Sequence, residues 1–214
     1  WGAAWSDYDS DGDLDLAGRG LWRNRATDQT ENHWLQVKAT GCGGSNRDAI
    51  GATVAVMAGA DGAVQRREIV GARGTGSQDS PIQHFGLGAA ATADQVVVGF
   101  PSGQGQTFTA VAADQRLTVT EVGAYIIPSS WAPAAGDEVA LRADTCGQAA
   151  TVSWDLDDDG NFDDAQGGAV TTSFPSPGRY EVGVQVTREG LSGIRHAVLD
   201  VVRRALYLPR TYRQ

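Results

Sequence analysis

The sequence predicts an all-β protein with a sandwich-like fold. Short runs of β-branched and aromatic residues alternate with polar residues at a period of two, and clusters rich in Gly, Ser, Asn and Pro separate them. No segment keeps a helical period over three turns. The predicted strands are HWLQVKA, ATVAVMA, AVQRREIV, DQVVVGF, RLTVTEV, TVSWDL, YEVGVQV and HAVLDVV.

Domain boundaries follow from changes in composition. The Pro/Ser/Ala-rich stretch YIIPSSWAPAAGDE separates two sets of strands, as a linker does. Because the chain starts at Trp1 without an initiator Met or a signal peptide, we expect it to be a processed or trimmed piece of a longer protein. The predicted units are 1–30, too short to fold alone, a domain at 31–122, a linker at 123–135, a second domain at 136–203, and a basic tail at 204–214.

The net charge of -9 is concentrated in two short acidic segments around Asp7–Asp15 and Asp155–Asp164. Eleven aspartates lie there with no basic residue among them, whereas the other 15 of the 26 acidic residues face 17 basic ones. This distribution favours bound cations over a generally acidic surface. The sequence has no basic stripe for nucleic acid and no apolar run long enough to span a membrane.

Both acidic segments contain the frame D-x-D-x-D-G-x-x-D, which predicts a calcium loop. Carboxylates at positions 1, 3 and 5 and a carbonyl at position 7 supply oxygen ligands, and Gly at position 6 lets the backbone turn. The first predicted ligand set is Asp7, Asp9, Asp11, the Asp13 carbonyl and Asp15. The second is Asp155, Asp157, Asp159, the Asn161 carbonyl and Asp163.

The two alternatives to such calcium loops are an EF-hand and an Asp/Gly-rich turn without an ion. An EF-hand needs Glu at position 12, where this chain has Gly18 and Gln166, and it needs flanking helices. An Asp/Gly-rich turn without an ion explains one such loop, but two copies in identical register favour calcium because unpaired carboxylates repel one another. We expect one or two structural Ca²⁺ ions rather than Mg²⁺, which prefers smaller, water-rich sites.

Three stretches resemble known families. WSDYDSDGDLDLAGRGLWRNR is similar to the end of an FG-GAP (VCBS-type) repeat, the calcium-binding unit of extracellular β-propellers, so residues 1–30 would be a propeller-type fragment. Residues 31–122 resemble the ASPIC/UnbV domain through the ordered series SNRDAIGA, SQDS, HFGLG and PSG, although Phe100 stands where that family usually has Trp. That family implies no catalytic activity.

The third stretch, AGDEVALRADTCGQAATVSWDLDDDGNFDD through FPSPGRYEVGVQVT, resembles a PKD domain. The resemblance implies an immunoglobulin-like sandwich of the kind found in cell-surface proteins and secreted enzymes. The family's usual WDFGDG is WDLDDDG here, and this change creates the calcium frame.

The sequence gives little support for catalysis. The three histidines, His33, His84 and His196, show no zinc spacing, and no G-x-S-x-G elbow accompanies the serines. We expect no catalytic residues, and we expect Trp34, Trp131 and Trp154 to anchor cores. The two cysteines, Cys42 and Cys146, form either one disulfide or two separate buried thiols.

Together these observations predict a non-catalytic, calcium-binding extracellular module, secreted or at the cell surface, that serves adhesion or assembly. Its expected partners are proteins or further copies of itself that pair with its edge strands, and glycans. Nucleic acid is not an expected partner, and no membrane span is expected. The alternative is an accessory polysaccharide-binding region of a secreted hydrolase, which exposed aromatics on one sandwich face would favour.

Overall fold

A computed structural model of the chain describes residues 2–26, 30–59, 61–72, 74, 76–147 and 150–203, and in these ranges it contains strands and no helix. The predicted all-β class is therefore confirmed. Because there is no helix in the described ranges, no helical membrane span is found there. The predicted tail at 204–214 lies outside the described residues. The chain divides into two compact units, the first made of residues 1–41 and 45–121 and the second of residues 42–44 and 122–214.

The first unit is a sandwich with a small additional sheet. Its strands are β1 (Ala4–Ser6), β2 (Asp15–Ala17), β3 (Leu21–Trp22), β4 (His33–Thr40), β5 (Thr53–Met57), β6 (Val64–Glu68), β7 (Gln83–Gly88), β8 (Thr92–Gly99), β9 (Gly105–Ala112) and β10 (Gln115–Thr120). The sheets β10-β4-β7 and β6-β5-β8-β9 bury their facing side chains in one core, and β1-β2-β3 forms the small sheet. Strands β4 and β10 pair in parallel.

The core of this unit explains the period-two pattern of the sequence. Leu35 and Val37 on β4 alternate into the core, and Val96 and Val98 on β8 face them from the other sheet. Strand β7 is absent from the predicted strands because its sequence, QHFGLG, contains two glycines, which are typical of turns. It is a strand whose apolar side chains alternate with the exposed Gly86.

The small sheet belongs to the same compact unit as β4–β10, and backbone contacts attach it there. The Trp5 amide donates a hydrogen bond to Asp79 Oδ1 (3.0 Å), and the Ser80 amide donates one to the Trp5 carbonyl (3.1 Å). The first residues of the chain thus pack against the sandwich and do not depend on their own core.

The second unit is a further sandwich. Its strands are β11 (Tyr125–Pro128), β12 (Glu138–Asp144), β13 (Thr151–Asp155), β14 (Ala165–Gln166), β15 (Ala169–Ser173), β16 (Gly178–Arg188) and β17 (Leu191–Val201). The sheets β11-β12-β15 and β14-β13-β16-β17 enclose one core around the fully buried Trp154.

Two features of the second unit differ from expectation. Strand β11 falls inside the segment expected to be a linker, where its residues pair antiparallel with β12. The expectation that Trp131 anchors a core is wrong, because its side chain is 56% exposed, whereas Trp154 does anchor one.

Cys42 and Cys146 form a disulfide, which resolves the alternative that the sequence left open. Their Cα atoms are 6.1 Å apart, within the usual range for such bonds, and 104 positions separate them along the chain. Both cysteines belong to the second unit. The bond therefore ties the short segment 42–44 to the domain that begins 80 residues later.

Candidate metal sites

The two acidic segments fold into loops with the same backbone conformation. We call residues 7–15 the first acidic loop and residues 155–163 the second. At position 4 of the frame, Ser10 and Asp158 have φ of 62° and 61°; at position 6, Gly12 and Gly160 have φ of 94° and 86°. These left-handed positions turn the chain, which accounts for the shared spacing of the two frames.

The aspartate at position 1 fixes each loop by accepting backbone amide hydrogen bonds from inside it. Asp7 accepts them from Asp11 and Gly12, both at 3.2 Å. Asp155, which is fully buried, accepts them from Asp158 at 2.7 Å and Gly160 at 2.9 Å. The side chain that begins the frame therefore also closes its turn.

Position 5 repeats in the same way. Asp11 Oδ1 accepts the amide of Asp13 (3.0 Å), and Asp159 Oδ1 accepts the amide of Asn161 (2.7 Å). The Asn161 side chain also donates to Asp159 Oδ2 (3.0 Å). Each of these carboxylates thus orients the residue whose carbonyl was predicted as a ligand.

Three carboxylates converge in each loop. One oxygen from each of Asp7, Asp9 and Asp15 lies within 4.8 Å of the others, and the same holds for Asp155, Asp157 and Asp159. Oxygens bound on opposite sides of Ca²⁺ at ~2.3–2.6 Å lie up to about 5 Å apart, so both sets fit this ion.

The predicted residues at the end of the frame have different surroundings in the two loops. Asp15 is buried, and it accepts the amides of Tyr8 (3.1 Å) and Asn24 (2.8 Å). In the second loop, the amide equivalent to that of Tyr8 belongs to Leu156, and it donates to Asp164 (2.6 Å). Asp163, the predicted ligand, is exposed, and so is its neighbour Asp164, for which the two adjacent aspartates are the signal in the sequence.

Arg23 lies against the first loop and corrects the view that its carboxylates are unpaired. Its guanidinium contacts Asp9 Oδ2 at 2.7 Å and Asp11 Oδ2 at 2.9 Å. Asp11 is absent from the converging group of the first loop and is instead held by this cation. The sequence missed Arg23 because only the turn between β2 and β3 brings it back to the loop.

Side chains from strand β4 of the sandwich contact the first loop. Gln36 on β4 is buried and donates from Nε2 to Asp7 Oδ2 (2.7 Å), and Arg116 on β10 donates to Gln36 Oε1 (2.8 Å). A Cβ atom at Gly12 would lie 2.0 Å from Trp34 Nε1, so this glycine permits close packing as well as the turn.

These surroundings shift carboxyl pKa values in opposite directions. The Asp13 amide, followed by Arg23, lowers the pKa of Asp11 below the ordinary 3.8. Desolvation, followed by the carboxylates of Asp164 and Asp159, raises the pKa of Asp157. The pKa of Asp159 is lowered by its side-chain hydrogen bond with Asn161.

A buried polar cluster elsewhere in the first unit has a structural explanation. Glu121 accepts hydrogen bonds from the Ser45 amide (3.0 Å), the Ser45 hydroxyl (2.9 Å) and the Ser102 hydroxyl. The carboxylate thereby joins the turn after β4 to the turn after β8.

Comparison with known families places two domain types along the chain. The family model described as ASPIC and UnbV matches residues 42–125, and that described as PKD domain matches residues 123–192. The two matches follow one another along the chain in the order that the sequence resemblances predict. The second acidic loop lies inside the PKD match. The FG-GAP resemblance of residues 1–30 stays a prediction.

Similar solved structures are distant. The PKD domain of the human VPS10 domain-containing receptor SorCS2 is 20% identical, with 39% of this chain and 76% of that chain covered and a TM-score of 0.32. The four N-terminal Ig domains of Dscam1 isoform 1.9 are 13% identical, with 89% and 51% covered and a TM-score of 0.33. Murine CEACAM1b is 6% identical, with 80% and 100% covered and a TM-score of 0.28.

This chain spans about half of the Dscam1 fragment. A comparison with curated proteins gave no match.

Proposed function

We propose that this chain is a non-catalytic extracellular module for adhesion or assembly whose two acidic loops are stabilised by calcium. The observation that carries the proposal is the repetition of one loop conformation in two separate sandwiches, each with three converging carboxylates. A PKD domain supports the extracellular location, since such domains are typically found outside the cell.

Calcium would act structurally. Bound to either loop, it would offset the repulsion between carboxylates and hold the turn in its folded form. Asp9 and Asp157 are exposed members of the two converging groups, so substituting either one would remove a ligand from its loop with little loss of packing.

A melting curve in calcium, in magnesium and in a chelator tests this role. At a free calcium concentration of 100 times Kd, a site binding only the folded state adds about 2.7 kcal/mol, which raises Tm by roughly 10 °C or more in a domain of this size. Magnesium should have a much smaller effect. Asp9→Asn and Asp157→Asn, singly and together, assign the shift to a loop. A midpoint that calcium and chelator leave unmoved contradicts the proposal.

Assembly is proposed to use strand edges. Among the described strands, β3 and β17 each have one partner in their sheets; near its end β17 is also bonded to the segment before β12, through the Asp200 amide and the Trp131 carbonyl (3.0 Å), so the earlier part of β17 offers the edge. Such edges can pair with a strand of another copy. Size-exclusion chromatography with light scattering measures this directly, and a strict monomer at high concentration would remove self-assembly from the proposal.

An accessory role in polysaccharide binding is the second candidate function. The observation that favours it is the exposure of four aromatic side chains, three in the first unit and one in the second. They are Trp5, Tyr8, Trp22 and Trp131.

A further inference from the structure

Two exposed tryptophans lie on one face of the small sheet β1-β2-β3. Trp5 pairs with Leu16, and Leu16 pairs with Trp22, so the three side chains form a row across the strands. Trp5 is 48% exposed and Trp22 is 67% exposed. With strands about 4.8 Å apart, the two tryptophan backbones lie roughly 10 Å from each other.

A cavity of about 160 Å³ lies beside the first tryptophan, inside the first unit. This volume is close to the ~150 Å³ of engineered cavities that hold one benzene ring, so it suits a single six-membered ring. Residues that line it include Trp5, Leu14, Arg67, Glu68, Asp79 and His84.

The cavity combines an aromatic wall with polar groups. The hydrogen bonds of the Trp5 backbone with Asp79 and Ser80 fix the main chain of this residue beside the cavity that its side chain lines. His84 Nδ1 is buried and has no hydrogen-bond partner among the described residues. A buried polar atom of this kind calls for a partner, and a hydroxyl group in the cavity would supply one.

We propose that the cavity and the Trp5–Trp22 row bind a neutral polysaccharide. One pyranose ring would stack on Trp5 in the cavity, its hydroxyls meeting Arg67 and Glu68, and a second ring of the same chain would stack on Trp22. Two acidic side chains, Glu68 and Asp79, against the single Arg67 disfavour an anionic polysaccharide. The proposal deepens the second candidate function by giving it a site and a ligand class, and it does not depend on the calcium-dependent adhesion function.

Pull-down with insoluble cellulose and chitin, and affinity electrophoresis in soluble xylan, mannan and alginate, test the proposal. We expect retention by at least one neutral polysaccharide and none by alginate. Trp5→Ala and Trp22→Ala should each weaken binding by up to about tenfold, since each removes one stacking contact. Trp131→Ala is the matched control, because this tryptophan is exposed in the second unit.

Three outcomes would overturn the proposal: no retention by any neutral polysaccharide, equal binding by all three variants, or a change of molar mass in Trp22→Ala that makes the row a protein contact. If Trp5→Ala fails to fold, Trp22→Ala alone tests the stacking contact. Trp22 does not line the cavity and is the more exposed of the two tryptophans, so its removal disturbs the fold less. Binding is measured with and without calcium. If no polysaccharide binds, the test of calcium by melting curves is unaffected. If calcium does not shift the melting temperature, the test of polysaccharide binding is unaffected.

Discussion

The first and second acidic loops share a backbone conformation but differ in what supports them. Around the first, contacts come from two other segments of its unit: Gln36 and Trp34 on β4, and Arg23 directly after β3. In the second, the hydrogen bonds to Asp155 come from the amides of the loop itself. The first loop is closed in the same way through Asp7, so the loops differ in the added contacts: Gln36 and Arg23 in the first, and Phe162 packed edge-on to His196 of β17 in the second.

The two loops also differ in how far the charge of their carboxylates is compensated. Arg23 compensates two carboxylates of the first loop, while the carboxylates near Asp157 raise its pKa. The second loop therefore depends more on an added cation, and the first is already partly neutralised without one.

The glycines at position 6 give the largest expected difference. Gly12→Ala should cost about 2–5 kcal/mol, because a left-handed residue costs about 1–2 kcal/mol and overpacking against Trp34 adds about 1–3 kcal/mol. Gly160→Ala has open space around its Cβ and should cost only the backbone term of about 1–2 kcal/mol. Urea denaturation of both variants in calcium-free buffer measures the losses, and equal losses would remove the packing difference between the loops.

Removing the guanidinium should make the first loop resemble the second. In an Asp157→Asn background, which weakens the second site, Arg23→Gln should raise the calcium affinity of the first loop by up to about fivefold, because exposed ion pairs contribute ~0.2–1 kcal/mol. Isothermal titration calorimetry measures the affinity. Arg66→Gln, an exposed change on β6, is the control, and an unchanged or lower affinity in Arg23→Gln would show that the arginine does not compete with the ion.

The smallest expected effect is a difference in the sign of pH dependence in calcium-free protein. Because the folded pKa of Asp11 is lowered, its contribution to stability is present above the ordinary 3.8 and is lost as pH falls through the folded value. The folded pKa of Asp157 is raised, so its contribution is present below 3.8 and is lost as pH rises through the folded value.

At about pH 7, Asp11→Asn should therefore destabilise the calcium-free protein by ~0.2–1 kcal/mol, whereas Asp157→Asn should stabilise it. Denaturation curves from about pH 3 to pH 7 follow both variants. Shifts of the same sign in the two variants at neutral pH would contradict the proposed difference in charge compensation.

The sequence predicted those parts of the loops that depend on local spacing. The alternating aspartates and the glycine at position 6 are enough to specify the turn, because its hydrogen bonds join residues at most eight positions apart. Asp164 was missed because position 9 of the frame is Asp163, whereas the Leu156 amide donates to the residue one position later.

Contacts between residues that are distant in the sequence could not be predicted from local patterns. The relay from Arg116 through Gln36 to Asp7 requires the parallel pairing of β4 and β10, which no period-two pattern specifies. The exposure of Trp131 and of the Trp5–Trp22 row was likewise hidden, because hydrophobicity alone favours burial. The disulfide could be proposed but not decided, since 104 positions separate its cysteines.

The bond between Cys42 and Cys146 determines how the chain would carry mechanical load. Tension applied at the two termini passes from Cys42 directly to Cys146, so the segment between them is not stretched. The 104 positions between the cysteines, which would span about 350 Å as an extended chain, therefore cannot be pulled out while the disulfide is intact. Both acidic loops lie outside the protected segment, one before Cys42 and one after Cys146. A module pulled between two surfaces would therefore transmit force through its two acidic loops while most of the first sandwich is shielded from it.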